Sequence, residues 1–110
     1  MIEASKYLPA WRKAVTLAAV QAIAEAGWVS SDSPAQVTVS FYLERPATVK
    51  IAARPSPVKP PDVDKLARGV LDALSDAGVW GDDAQCVKLT VMKFYADTRE
   101  PGAVVEVVFV

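Results

Sequence analysis

Apolar and polar positions alternate along the chain with two different periods. Over residues 9 to 26, Trp11, Val15, Ala18 and Ala22, broadened by Ala19 and Ile23, recur at helical spacing. Pro9 suits the first turn of that helix and Gly27 its end. Residues 36 to 44 change to a period of two. Val37, Val39, Phe41 and Leu43 face one way, and Thr38, Ser40 and Tyr42 the other, which predicts a half-buried strand. From Arg45 to Pro61 the chain carries Pro46, Pro55, Pro57, Pro60 and Pro61 among basic residues. This predicts a long, partly mobile loop. Helical spacing returns with Leu66, Val70, Leu71 and Leu74, bounded upstream by Pro60-Pro61 and downstream by Gly78. Residues 86 to 95 predict a strand with Val87, Leu89 and Val91 on one face. Pro101-Gly102 punctuates a turn, and residues 104 to 110 form a last strand, nearly all apolar apart from Glu106. These last two strands suit an antiparallel hairpin.

The order of elements predicts an α/β protein of the mixed α+β kind: a small mixed sheet with two helices on one face. At 110 residues the chain is a single domain, 1–110, and just over half of it is hydrophobic, enough for one core. Both late strands are apolar on both faces, more than two helices can cover, so a homodimer interface is expected. Trp11 and Trp28 read as core or interface residues, and Arg12 and Lys13 as a solvated helix face.

The chain contains no histidine, which excludes His metal sites, His general bases and Ser–His or Cys–His nucleophile systems. With one cysteine, Cys86, no internal disulfide can form. Cys86 reads as a half-buried strand residue. No segment is long enough to span a membrane and no signal peptide is recognisable, so a cytoplasmic location is expected. The net charge is −1, which is not the global footprint of a nucleic-acid binder. The charge is uneven, however. Arg45, Lys50, Arg54, Lys59, Lys65 and Arg68 fall in one segment against Glu44, Asp62 and Asp64, a local basic patch beside an acidic one.

The candidate chemistry lies at the second helix. Asp62 and Asp64 are two residues apart and share a side if that stretch is still extended. Asp64, Arg68 and Asp72 are spaced i, i+4, i+8 and line one polar face. Gly81-Asp82-Asp83 then returns a second acidic pair. Carboxylates that converge repel one another. Their usual partner is a hard divalent cation with oxygen ligands, most often magnesium, which can activate water and stabilise phosphoryl charge. The same residues also suit a helix N-cap and a solvated turn.

Asp62-Val63-Asp64-Lys65-Leu66-x-Arg68, Leu71-Asp72-Ala73-Leu74 and Ala77-Gly78-Val79-Trp80-x-Asp82-Asp83-Ala84-Gln85 together resemble the core of the RusA-type Holliday junction resolvases. That core reads D-x-D-N-L-x-K, a helix ending in D-A-L, then G-x-x-x-D-D-x-Q. The match keeps order and spacing over about thirty residues. The resemblance implies a small homodimeric endodeoxyribonuclease acting on branched DNA in recombination and repair. Its cofactor would be magnesium, with manganese able to substitute, and no nucleotide cofactor or membrane is involved. It puts the metal-binding, catalytic aspartates on Asp62, Asp64 and Asp83, and the family's essential lysine on Arg68. The family's asparagine falls on Lys65, which could supply an ammonium group. DNA contacts would come from Arg45, Lys50, Arg54, Lys59, Lys65 and Arg68, the Pro-rich loop acting as a phosphate-gripping flap. Asp72 and Asp82 would support these groups from behind. The family normally opens with an extra strand before its first helix. This chain begins almost at that helix, so the sheet is expected to lack that strand. The alternative reading is a branched-DNA-binding module of the same fold with weak or no turnover. A third is an interaction protein whose aspartates only cap and turn.

Overall fold

The computed structural model describes residues 2–4, 11–51, 53–58 and 62–110. Pro9, Lys59, Pro60 and Pro61 lie outside them. The described chain runs β1 (Ile2–Ala4), α1 (Trp11–Ala26), β2 (Ala35–Leu43), α2 (Val63–Asp76), a single 3₁₀ turn (Asp83–Gln85), β3 (Cys86–Tyr95) and β4 (Gly102–Phe109). Both helices end where glycine permits a positive φ: Gly27 at +63° after α1 and Gly78 at +79° after α2. Among the described residues no helix is long and apolar enough to cross a membrane.

The four strands form one mixed sheet in the order β1-β4-β2-β3. The expected β3–β4 hairpin is corrected, because β2 lies between the two strands, parallel to β3 and antiparallel to β4. The connection from Ala96 to Pro101 passes over the end of β2, where the Ala96 amide donates to the Leu43 carbonyl at 2.7 Å. Two strand spacings are only about 10 Å, within reach of that connection. Alternation specifies a strand's faces but not its neighbours, so both arrangements have the same pattern. The β2 to β3 link is the parallel kind that needs a crossover, and α2 supplies it. A second correction concerns the start of the chain. The expected loss of a strand before the first helix does not occur: β1 pairs antiparallel with β4, Ile2 opposite Val105 and Ala4 opposite Ala103.

The core lies between one face of the sheet and the two helices. Ala35, Val37, Val39 and Phe41 of β2, with Ala103 and Val105 of β4, meet Ala14, Val15 and Ala19 of α1 and Leu66, Val70, Ala73 and Leu74 of α2. Small residues on α1 let the helices approach closely, and Arg12 clamps them with a fork onto Asp76 at 2.7 and 3.0 Å. That hydrogen bond holds the Asp76 carboxyl below its ordinary pKa. Cys86 is half-buried, as expected, and burial pushes its thiol up. The other sheet face carries no helix. There Tyr42 stacks on Phe94 at 5.5 Å, Arg99 lies 4.1 Å over the Tyr42 ring, and Met92, Phe94 and Val108 are exposed.

Candidate metal and nucleic-acid site

Asp62 precedes α2 in extended conformation (φ −71°, ψ 145°), yet its side chain makes no capping hydrogen bond. Its described partner is Lys65, whose Nζ lies 3.9 Å away. Asp64 sits in the first turn, exposed, with no hydrogen bond or ion pair to another described residue. Carboxylates here interact favourably with the helix dipole, but neither is engaged by the backbone. One turn on, Arg68 reaches from α2 across to the acidic turn, with Nη1 3.0 Å from Asp83 Oδ2. A shallow groove lined by Asp64, Arg68, Leu71, Leu89 and Val91 runs between α2 and β3 beside this pair.

The acidic turn is rigidly framed. Asp82, not Asp83, is the structural aspartate: its carboxylate accepts from the Ala84 amide at 2.9 Å and caps the 3₁₀ turn. That amide, and then Asp83, hold its carboxyl below the usual range. Gln85 completes the brace. Its Oε1 accepts from the Gly81 and Asp82 amides, and its Nε2 donates to the Ser31 and Ser33 carbonyls at 2.7 and 3.0 Å. Trp80 Nε1 donates to Ser75 Oγ, and Trp28 Nε1 to the Val79 carbonyl. The bracing role of Gln85 was missed from sequence, although Asp82-x-x-Gln85 has the spacing of a capping box. Asp82 thus caps the turn that begins at Asp83. Asp72 stands 3.9 Å from Arg68 and 3.8 Å from Arg12, between the two helices.

Hard divalent cations take oxygen ligands, and Asp62, Asp64 and Asp83 offer carboxylates free of backbone duty. The donor set therefore fits such an ion chemically. The three are not gathered around a centre, however. Among the described residues no group of three or more His, Cys, Asp or Glu side chains is placed to hold a metal ion. Asp83 is instead paired with Arg68, whose side chain is 66% exposed. Ion pairs this exposed are worth at most about 1 kcal/mol, so a divalent cation or a phosphate can exchange with either partner.

Of the cations assigned to DNA, Lys50, Lys65 and Arg68 are exposed, Arg54 is partly buried and Lys59 lies outside the described residues. Arg45 must be removed from that set. Its side chain is 12% exposed, its Nε and Nη2 fork onto Asp97 at 2.8 and 2.9 Å, and its guanidinium lies 4.0 Å over the Tyr95 ring. Its charge is paired with Asp97, and its Nη groups are engaged by the Arg54 and Pro55 carbonyls. Sequence spacing could not reveal this, because Asp97 is fifty-two residues away.

Compared with protein-family models, the chain matches one described as endodeoxyribonuclease RusA over residues 2–108. No curated protein matches it.

Proposed function

The chain belongs to the endodeoxyribonuclease RusA family, and from that premise we propose that it is a magnesium-dependent nuclease that resolves four-way DNA junctions by paired, symmetric nicks in recombination and repair. The observation that carries the metal site is that the Asp62 and Asp64 carboxylates make no backbone hydrogen bond, and that Asp64 lines the same groove as Arg68, the partner of Asp83. Asp62, Asp64 and Asp83 would hold the ion, with manganese able to replace magnesium. When bound, the ion supplies Lewis-acid polarisation of a phosphoryl oxygen and lowers the pKa of water.

The chain's own residues do the rest. Arg68, released from Asp83, donates to a non-bridging phosphate oxygen and steadies developing negative charge. Lys65 brings a second cation from the exposed side of the same turn. Asp72 limits where Arg68 can swing. The Asp82–Gln85 brace fixes the backbone of the turn at Asp83, so binding is met by movement of the Arg68 side chain and of the carboxylates at the start of α2. Calorimetric titration with magnesium or manganese tests the site without DNA. Saturable binding that is lost in Asp64→Asn supports it, and no binding contradicts it.

Arg68→Lys restores the family's cation. A lysine keeps the charge and gives up the 3.0 Å guanidinium contact with Asp83. Single-turnover nicking is expected to stay equal or rise. A loss beyond about tenfold, about 1.4 kcal/mol of barrier, would show that the arginine has its own required geometry.

Paired nicks need two sites, and the sheet face that carries no helix, with Phe94, Met92 and Val108 exposed on it, would be the surface of a two-fold homodimer. Phe94→Asp should remain folded and sediment as a monomer, and its two nicks should become independent events. A wild-type protein that sediments as a monomer at micromolar concentration contradicts the dimer. The second reading, a junction-binding module without turnover, is favoured by the ungathered aspartates. It predicts junction binding with no nicking at any divalent metal.

A further inference from the structure

The loop between β2 and α2 carries two cations, Lys50 and Arg54, whose side chains make no hydrogen bond or ion pair to a described residue. The described part of this loop is ordered by its own hydrogen bonds. The Val49 amide donates to the Pro46 carbonyl at 2.9 Å. The Ala53 and Arg54 amides both donate to the Lys50 carbonyl, at 3.1 and 2.9 Å. Lys50 and Arg54 therefore bracket one tight turn. What holds that turn against the body of the protein is Arg45. Its Nη1 donates to the Arg54 carbonyl at 2.6 Å and its Nη2 to the Pro55 carbonyl at 3.4 Å. The same guanidinium is anchored to the end of β3 by the Asp97 fork and the Tyr95 ring. One side chain thus joins the exit of β2, the end of β3 and the returning limb of the loop.

We propose that Arg45 is a positioning residue for DNA binding: it holds the Lys50–Arg54 turn as a preformed phosphate-gripping arm, and does not contact DNA itself. This rests on the proposed action on DNA. A turn held in its bound shape loses little conformational freedom when it binds, and a free one loses much. Lysine cannot replace arginine here, because the planar fork serves Asp97 and two carbonyls at once. The alternative is a plain structural clamp that closes the end of the core, and it would weaken folding without coupling to Lys50 and Arg54.

The test is a mutant cycle read by binding to a labelled four-way junction, with Asp97→Asn as a second way to release the fork. Arg45→Lys is expected to weaken junction binding about ten- to thirtyfold at 0.1 M salt. Its turnover at saturating junction should stay within about threefold, because the aspartates lie elsewhere. The slope of log affinity against log salt should fall by about two, near one unit per lost phosphate contact. Lys50→Ala with Arg54→Ala should show the same loss, and adding Arg45→Lys to that pair should cost no more than about twofold further. Asp97→Asn should behave as Arg45→Lys does. Full additivity, or an Arg45→Lys protein that binds within twofold of wild type, overturns the assignment of Arg45 and leaves the action on DNA standing. A wild-type protein that binds no junction overturns both.

Discussion

Asp83→Asn is expected to reduce junction nicking by at least about a thousandfold, some 4 kcal/mol of barrier, while junction affinity falls by less than about threefold. The two halves have different causes. Asparagine removes the anionic oxygen that a hard cation needs and leaves a neutral amide in its place. The turn itself is unaffected, because Asp82 supplies the cap and Gln85 the brace. Loss of one carboxylate also frees Arg68 from its partner, so a polyanion is held as well as before. Single-turnover cleavage and a binding titration on the same junction separate the effects. Cutting at the normal rate would remove Asp83 from the site. Equal loss of binding and cutting would make it a folding residue.

Phe41→Ala should be the most damaging single change to the fold. Phe41 is fully buried in β2, the strand paired on both edges, opposite Ala103 on one side and Lys93 on the other. Removing a buried ring costs about 3–5 kcal/mol in transfer free energy and residual cavity. For a domain of this size that lowers the melting temperature by about 10–25 °C. Thermal unfolding followed by circular dichroism measures it. A fall of only a few degrees would mean that α1 and α2 close over the gap, and that the core is less rigid than its burial implies.

Much of this molecule was legible in the sequence because short-range physics decides it. The α2 stripe, its stop at Gly78 and the alternation of β2 each follow from residues a few positions apart. The basic residues of the β2–α2 loop were legible as charges but not as roles. Arg45 and Arg54 look equivalent in sequence, yet Asp97 neutralises one, while the side chain of the other has no partner among the described residues. Strand neighbours escaped for a related reason: β3 and β4 have the same faces whether they pair directly or hold β2 between them. Asp82 and Asp83 also look alike, and only the backbone path of the 3₁₀ turn makes one a cap and the other the partner of Arg68.

The most direct measurement is incubation of the purified protein with a labelled four-way junction and a matched linear duplex, in magnesium and then with EDTA. Paired nicks on the junction alone, abolished by EDTA, are the predicted result. A protein that leaves the junction intact in both magnesium and manganese, or that cuts the linear duplex equally well, would contradict it.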